Sequence, residues 1–111
     1  MTIHEAAELL SDAPELTHRA MFGGYGLYTK GKMFAIMDEG VVYLKGDSVS
    51  IPIYEEAGGQ QFSYLSKDGP MQMKYWSFRD DETLLAHLQD ALDTAARAPA
   101  PKPKKPKVKK A

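Results

Sequence analysis

The spacing of apolar and polar positions changes twice along this chain. Ile3, Ala6, Ala7, Leu9 and Leu10 recur at helical spacing, and Thr2 followed by Glu5 has the T-x-x-E form of a capping box. A first helix is therefore expected over about 3–11, ended by Asp12-Ala13-Pro14 because the residue before a proline avoids the α region. From Thr17 the pattern becomes extended. Phe22, Tyr25 and the Leu27/Tyr28 pair belong to a first strand that glycines interrupt. Met33–Met37 and Val41–Lys45 follow as strands, separated by turns at Thr29–Lys32 and Asp38–Gly40. A short helix comes next, with Ser50 as its cap, Pro52 in its first turn and Gly58 as its stop. Gln61–Leu65 and Met71–Phe78 then read as a hairpin around Lys67–Pro70. In its second strand Met71, Met73, Tyr75 and Ser77 share one face, and Gln72, Lys74, Trp76 and Phe78 the other. The last helix is expected over about 81–97. Asp80, Asp81 and Glu82 stand at its positive end, Leu84, Leu85, Leu88, Ala91, Leu92 and Ala95 form one stripe, and Pro99 stops it. The order α-β-β-β-α-β-β-α makes an α+β, two-layer sandwich: a mostly antiparallel, five-stranded sheet with helices on one face.

Composition adds a boundary. The 111 residues carry a net charge of −1, but six of the 14 basic residues lie in the last 13 positions, "PAPKPKKPKVKKA", which hold no acid. Residues 1–98 thus carry −7 and residues 99–111 carry +6. The first is read as the folded domain, the second as a disordered Lys/Pro-rich tail. Lys102, Lys104, Lys105, Lys107, Lys109 and Lys110 are candidate phosphate contacts. With no aromatic or arginine beside them, such contacts would be tolerant of sequence. A solubilising tail, or an arm folded back on the acidic domain, is the alternative. There is no cysteine, which excludes disulfides, thiolate metal sites and thiol catalysis. No apolar run is long enough to span a membrane, and the start lacks a basic signal-peptide region, so a cytoplasmic protein is expected.

The stretch "AMFGGYGLY" (20–28) is the most unusual in the domain. Its G-G-Y-G spacing fits neither a Walker loop nor a dinucleotide fingerprint, and a strand rather than a helix follows it, so the row of free N–H groups that cradles phosphate is absent. A bent strand is the better reading, its glycines supplying φ > 0 or a bulge and permitting a close backbone approach. His4, His18 and His87 have no metal-ligand spacing, the serines no nucleophile motif, and the Glu55/Glu56 and Asp80/Asp81 pairs belong to a solvated face and a helix start. The chain reads as non-enzymatic, with no cofactor and no metal. Met33, Met37, Met71 and Met73, at period two in strands, are expected to fill the core.

"RAMFGGYGLYTKGKMFAIMDEGVVYLK", then "IYEEAG" and "MKYWSFRDDE", resembles the N-terminal domain of the TfoX/Sxy family of bacterial competence regulators. The likeness runs over most of residues 15–95. It implies a fold resembling the type III secretion chaperones. It marks Met21, Phe22, Gly23, Gly24, Tyr25, Gly26, Tyr28, Tyr75 and Trp76 as signature positions, structural or docking. The resemblance further implies transcription regulation as a coactivator, beside a cyclic-AMP receptor-type activator. The regulators usually carry a second, C-terminal domain; here a lysine-rich tail follows, Lys74 stands where a small residue is expected, and Arg79 replaces a proline. The expected partners are DNA through the tail, a transcription activator or other protein, and by analogy with the chaperone-like fold a second copy in a homodimer. A protein-interaction adaptor with no DNA binding is the alternative.

Overall fold

A computed structural model describes residues 1–21 and 24–98, with backbone alone at 64–66. Helix α1 (Ile3–Leu9) opens with the expected capping box: the Thr2 hydroxyl accepts from the Glu5 N–H at 3.2 Å, and the Glu5 carboxylate accepts from the Thr2 N–H at 2.8 Å. Six strands follow around one short helix: β1 (Leu16–Met21), β2 (Gly24–Thr29), β3 (Lys32–Asp38), β4 (Val41–Lys45), α2 (Ser50–Glu56), β5 (Gln60–Ser66) and β6 (Gly69–Ser77). Helices α3 (Asp81–Ala86) and α4 (Leu88–Arg97) complete the described elements. All strand pairs are antiparallel, in the order β1-β2-β3-β4-β6-β5. The architecture is the expected α+β sandwich, with six strands rather than five.

The extra strand comes from the glycine stretch. It is not one bent strand: β1 and β2 are antiparallel neighbours with Met21 opposite Gly24. The next two turns are tight because both central residues have φ > 0, Lys30-Gly31 at 51° and 81° and Glu39-Gly40 at 50° and 78°. That geometry matches the right-handed twist of the flanking strands. Phe34 is the additional residue of a bulge, since Leu27 faces Ala35 while Tyr28 faces Met33. The bulge lets Phe34 and Ala35 both reach the helix side, where both are fully buried.

Helices cover one face of the sheet. Leu10, Leu27, Phe34, Leu44, Tyr54 and Ala91 are fully buried between the layers. Three further expectations need correction. The last helix breaks at His87, whose Nδ1 lies 2.9 Å from the Thr83 carbonyl oxygen and so donates to it, and whose ring stacks on Phe78 at 5.2 Å. Asp47, not Ser50, caps α2: its carboxylate accepts from the N–H groups of Val49 and Ser50 at 3.0 Å, and the Ser50 hydroxyl accepts from the Asp47 N–H at 2.9 Å. Of the four strand methionines only Met37 is buried; Met33 is half-buried, and Met71 and Met73 are exposed. No helix among the described residues is long and apolar enough to cross a membrane.

Candidate functional site

Among the described residues, nothing forms a second layer on the face of the sheet away from the helices. Strand alternation delivers Tyr28, Met33, Ile36, Tyr43, Phe62 and Tyr75 to it, and their contacts bind them into one surface. The Tyr75 hydroxyl donates to Met33 Sδ at 3.3 Å, reaching across β4 from β6 to β3. The rings of Tyr43 and Phe62 meet edge-on at 4.7 Å. The Arg19 guanidinium lies 5.7 Å from the centre of the Tyr28 ring. Burial, and then the neighbouring Tyr28, push the Tyr75 hydroxyl up to about 12. Burial also raises Tyr43, with the Asp38 and Glu39 carboxylates adding to the effect.

The signature stretch forms one side of this face. Gly26 is opposite Arg19 and Ile36, and a Cβ there would lie 2.9 Å from Met21 Sδ and 3.3 Å from the Tyr28 ring. Those two side chains therefore lean over the space the glycine leaves. Gly24 serves a different purpose. Its φ is not positive; a Cβ would run into the Met37 carbonyl oxygen, so the strands approach as closely as they do only because the side chain is missing. Tyr25 lies on the helix side, half-buried against the core, with its ring edge-on to His18 at 6.0 Å. Trp76, 2% exposed, packs at 6.1 Å from Tyr54. Tyr75 and Trp76 thus belong to opposite faces of one strand, and Tyr75 is on the side away from the helices, itself only 9% exposed among its neighbours. Phe22 and Gly23, and the six tail lysines from Lys102 to Lys110, lie outside the described residues.

A polar clamp joins α2 to α4 on the other side of the sheet. The Arg97 guanidinium donates twice to Asp47, both bonds 2.9 Å, and the Ser50 and Thr94 hydroxyls meet at 2.7 Å. Arg97 holds the Asp47 carboxyl well below the usual carboxylate range. At the same end of the molecule Lys32 Nζ donates to the carbonyl oxygens of Ala98 at 2.8 Å and Ala96 at 3.4 Å, capping the last turn of α4. An open cleft of about 510 Å³ lies beside it, lined by Asp12, Thr29, Lys30, Lys32, Gln89 and Asp93 among others. His4 and His18 stand on α1 and β1, away from His87. Among the described residues no three His, Cys, Asp or Glu side chains gather where they could hold a metal ion. The clamp ties the end of α4 to the start of α2.

The sequence reading did not single out Tyr43, Phe62 or Arg19. Tyr43 shares a face of β4 with Lys45, which is opposite Tyr75 on β6, and only the strand pairing shows that both tyrosines face away from the helices.

The family model described as the TfoX N-terminal domain matches residues 8–100. Among curated proteins the chain is similar to "DNA transformation protein TfoX1" of Aliivibrio fischeri, 27% identical over 82 residues. That alignment takes in 69% of this chain and 39% of the relative, so the chain spans about two-fifths of that protein's length.

Proposed function

The chain belongs to the TfoX N-terminal domain family, and from that premise we propose that it is a non-enzymatic regulatory domain of the transcription-coactivator type. Residues 1–98 make the protein contacts, and the lysine-rich segment 99–111 holds the domain near DNA without regard to sequence. The single observation behind this reading is the separation of charge, −7 in one part and +6 in the other. An acidic domain alone repels DNA; six lysines on one short segment can displace counterions from it. The relative named for DNA transformation makes a DNA-linked role the natural one to test, but its own activity belongs to a protein much longer than the matched region.

Fluorescence anisotropy with a labelled duplex of arbitrary sequence tests the proposal. The full chain should bind with log K falling against log salt at a slope of up to roughly −5, the sum of about −0.9 for each of six phosphate contacts. Replacing the six tail lysines with glutamine should abolish the binding. A full chain that leaves the duplex unbound at low salt would remove the DNA role and leave a protein adaptor, for which pull-down of a transcription activator becomes the assay.

A further inference from the structure

The open sheet face has the anatomy of a protein interface. Its middle is aromatic and aliphatic, with Ile36 and Tyr43 at the centre and Tyr28, Met33, Tyr75 and Phe62 around them. Its charges stand at the rim: Arg19 on the edge strand β1, Asp38 at the end of β3 and Lys45 at the end of β4. An apolar centre rich in Tyr, Phe and Met inside a charged rim is the pattern of protein–protein contacts.

We propose that this face is closed by a second copy of the same chain, the two sheets packing face to face into a symmetric four-layer dimer with the helices outside. Two observations select a second copy as the occupant. The first is the arrangement of rim charge. Lys45 and the Asp38–Glu39 turn lie at opposite ends of the single hairpin made by β3 and β4. A two-fold axis in the plane of the sheets, crossing these strands at mid-length, lays each strand end over the opposite end of its counterpart. It therefore brings each Lys45 to the acidic end of the other hairpin, twice, while Ile36 and Tyr43 stay near the axis. Same-sign charges at both ends would have forbidden this arrangement. The second observation is size. Six strands about 4.8 Å apart, each of about six residues at 3.3 Å, make a face of roughly 28 by 20 Å. That footprint, roughly 560 Å² per partner, is close to the ~600 Å² per partner at which stable interfaces begin. Two sheets stacked this way lie about 10 Å apart, room for one interdigitated layer of these side chains. The inference concerns the sheet face alone and does not depend on the tail's contact with DNA.

Sedimentation velocity over a concentration series, on the full chain, tests it. The chain should pass from monomer to dimer as concentration rises. Lys45→Glu should weaken the dimer about tenfold, since it sets like charges together at two symmetry-related places. Adding Asp38→Lys and Glu39→Lys to that variant reverses both ends and should restore association. Ile36→Arg, at the centre, should leave a monomer; its fold is checked by far-ultraviolet circular dichroism and Trp76 fluorescence. Should Ile36→Arg fail to fold, the charge reversal and its rescue still decide the matter, because all three positions are on the rim. A chain that stays monomeric throughout the series overturns the proposal. So does a dimer indifferent to Lys45→Glu, which would place the contact at a sheet edge, β1 or β5. Glutamine in place of the tail lysines should leave the dimer unchanged, so failure of the DNA role and failure of this one are told apart.

Discussion

Replacing Gly24 with alanine tests whether β2 and β3 lie as close as they do because one side chain is missing. Gly24 stands opposite Asp38 in the ladder to β3 and opposite Met21 in the ladder to β1. An added Cβ would meet the Met37 carbonyl oxygen head-on and sit 3.1 Å from its carbon and 3.3 Å from the Asp38 Cα. These are backbone atoms, so no rotamer change relieves the clash, and the strands must part locally. Overpacking of this kind costs about 1–3 kcal/mol, and a weakened ladder hydrogen bond adds about 1 kcal/mol. A total of roughly 2–4 kcal/mol should lower Tm by on the order of 10–20 °C in a domain this size. Urea unfolding followed through Trp76, the single tryptophan and 2% exposed, gives the free energy directly. Two comparisons isolate the cause. Gly31 has φ +81° and open space around it, so Gly31→Ala should cost about 1–2 kcal/mol from backbone conformation alone, and Gly31→Asn should recover part of that. At Gly26 the nearest atom is the flexible end of Met21, so alanine there should be milder than at Gly24. Asparagine at position 24 should be no better than alanine. An unchanged unfolding curve for Gly24→Ala, or a clear advantage for asparagine there, would refute the close-approach account.

Two further expectations follow from titrating groups. Asp47 has its folded-state pKa depressed, chiefly by Arg97, so its contribution is present above the ordinary carboxylate pKa of about 4 and is lost as pH falls toward the folded value. Asp47→Asn should therefore melt below the wild type at pH 7 and converge with it in acid; equal gaps at both pH values would count against the clamp. The gap should be small, because the pair is partly exposed, at 31% and 40% of the two side chains. Tyr75 has its pKa raised instead, so the native state gains from its neutral form up to the unfolded value of about 10 and loses that gain as pH rises toward about 12. Absorbance titration should find in Tyr75→Phe one fewer late-ionising tyrosine; loss of an early-ionising one would mean that the hydroxyl is not buried beside Met33.

Local elements were legible in the sequence wherever one rule governed them. The Thr2/Glu5 box and the Asp80 helix start needed only spacing, and Asp80 does accept from the Thr83 N–H at 2.7 Å. The misreadings came where tertiary contacts outweighed local rules. The stripe from Leu84 to Ala95 keeps helical period across His87, so nothing in the pattern marks the break made by its ring against Phe78 and Tyr54. Ser50 has the side chain of a cap, but Asp47 three residues earlier takes that role, and an Arg97 fifty residues away completes it. The methionines were assigned to the core because period two gives the face of a strand but not which face the helices cover. Tyr43 and Phe62 were passed over for the same reason. They meet edge-on across β6, a contact between β4 and β5 that only the strand order brings about.

Face-to-face pairing, if the sedimentation series bears it out, changes what the tail can do. Lys32 and Arg97 fix the end of α4 beside the β2–β3 turn, in the helix layer. Packing the open faces together leaves that layer outside, so segment 99–111 of each copy would start from an uncovered surface. The dimer would then present two such segments and 12 lysines from one rigid body. Binding by the first segment would hold the second near the same duplex at an effective concentration set by its reach. The salt slope should then steepen with protein concentration across the dimerisation range, as more phosphate contacts are made per bound particle. With Ile36→Arg the slope should stay at its single-segment value at every concentration. A slope that is the same for both proteins throughout would show that the segments act singly, whatever the sheets do.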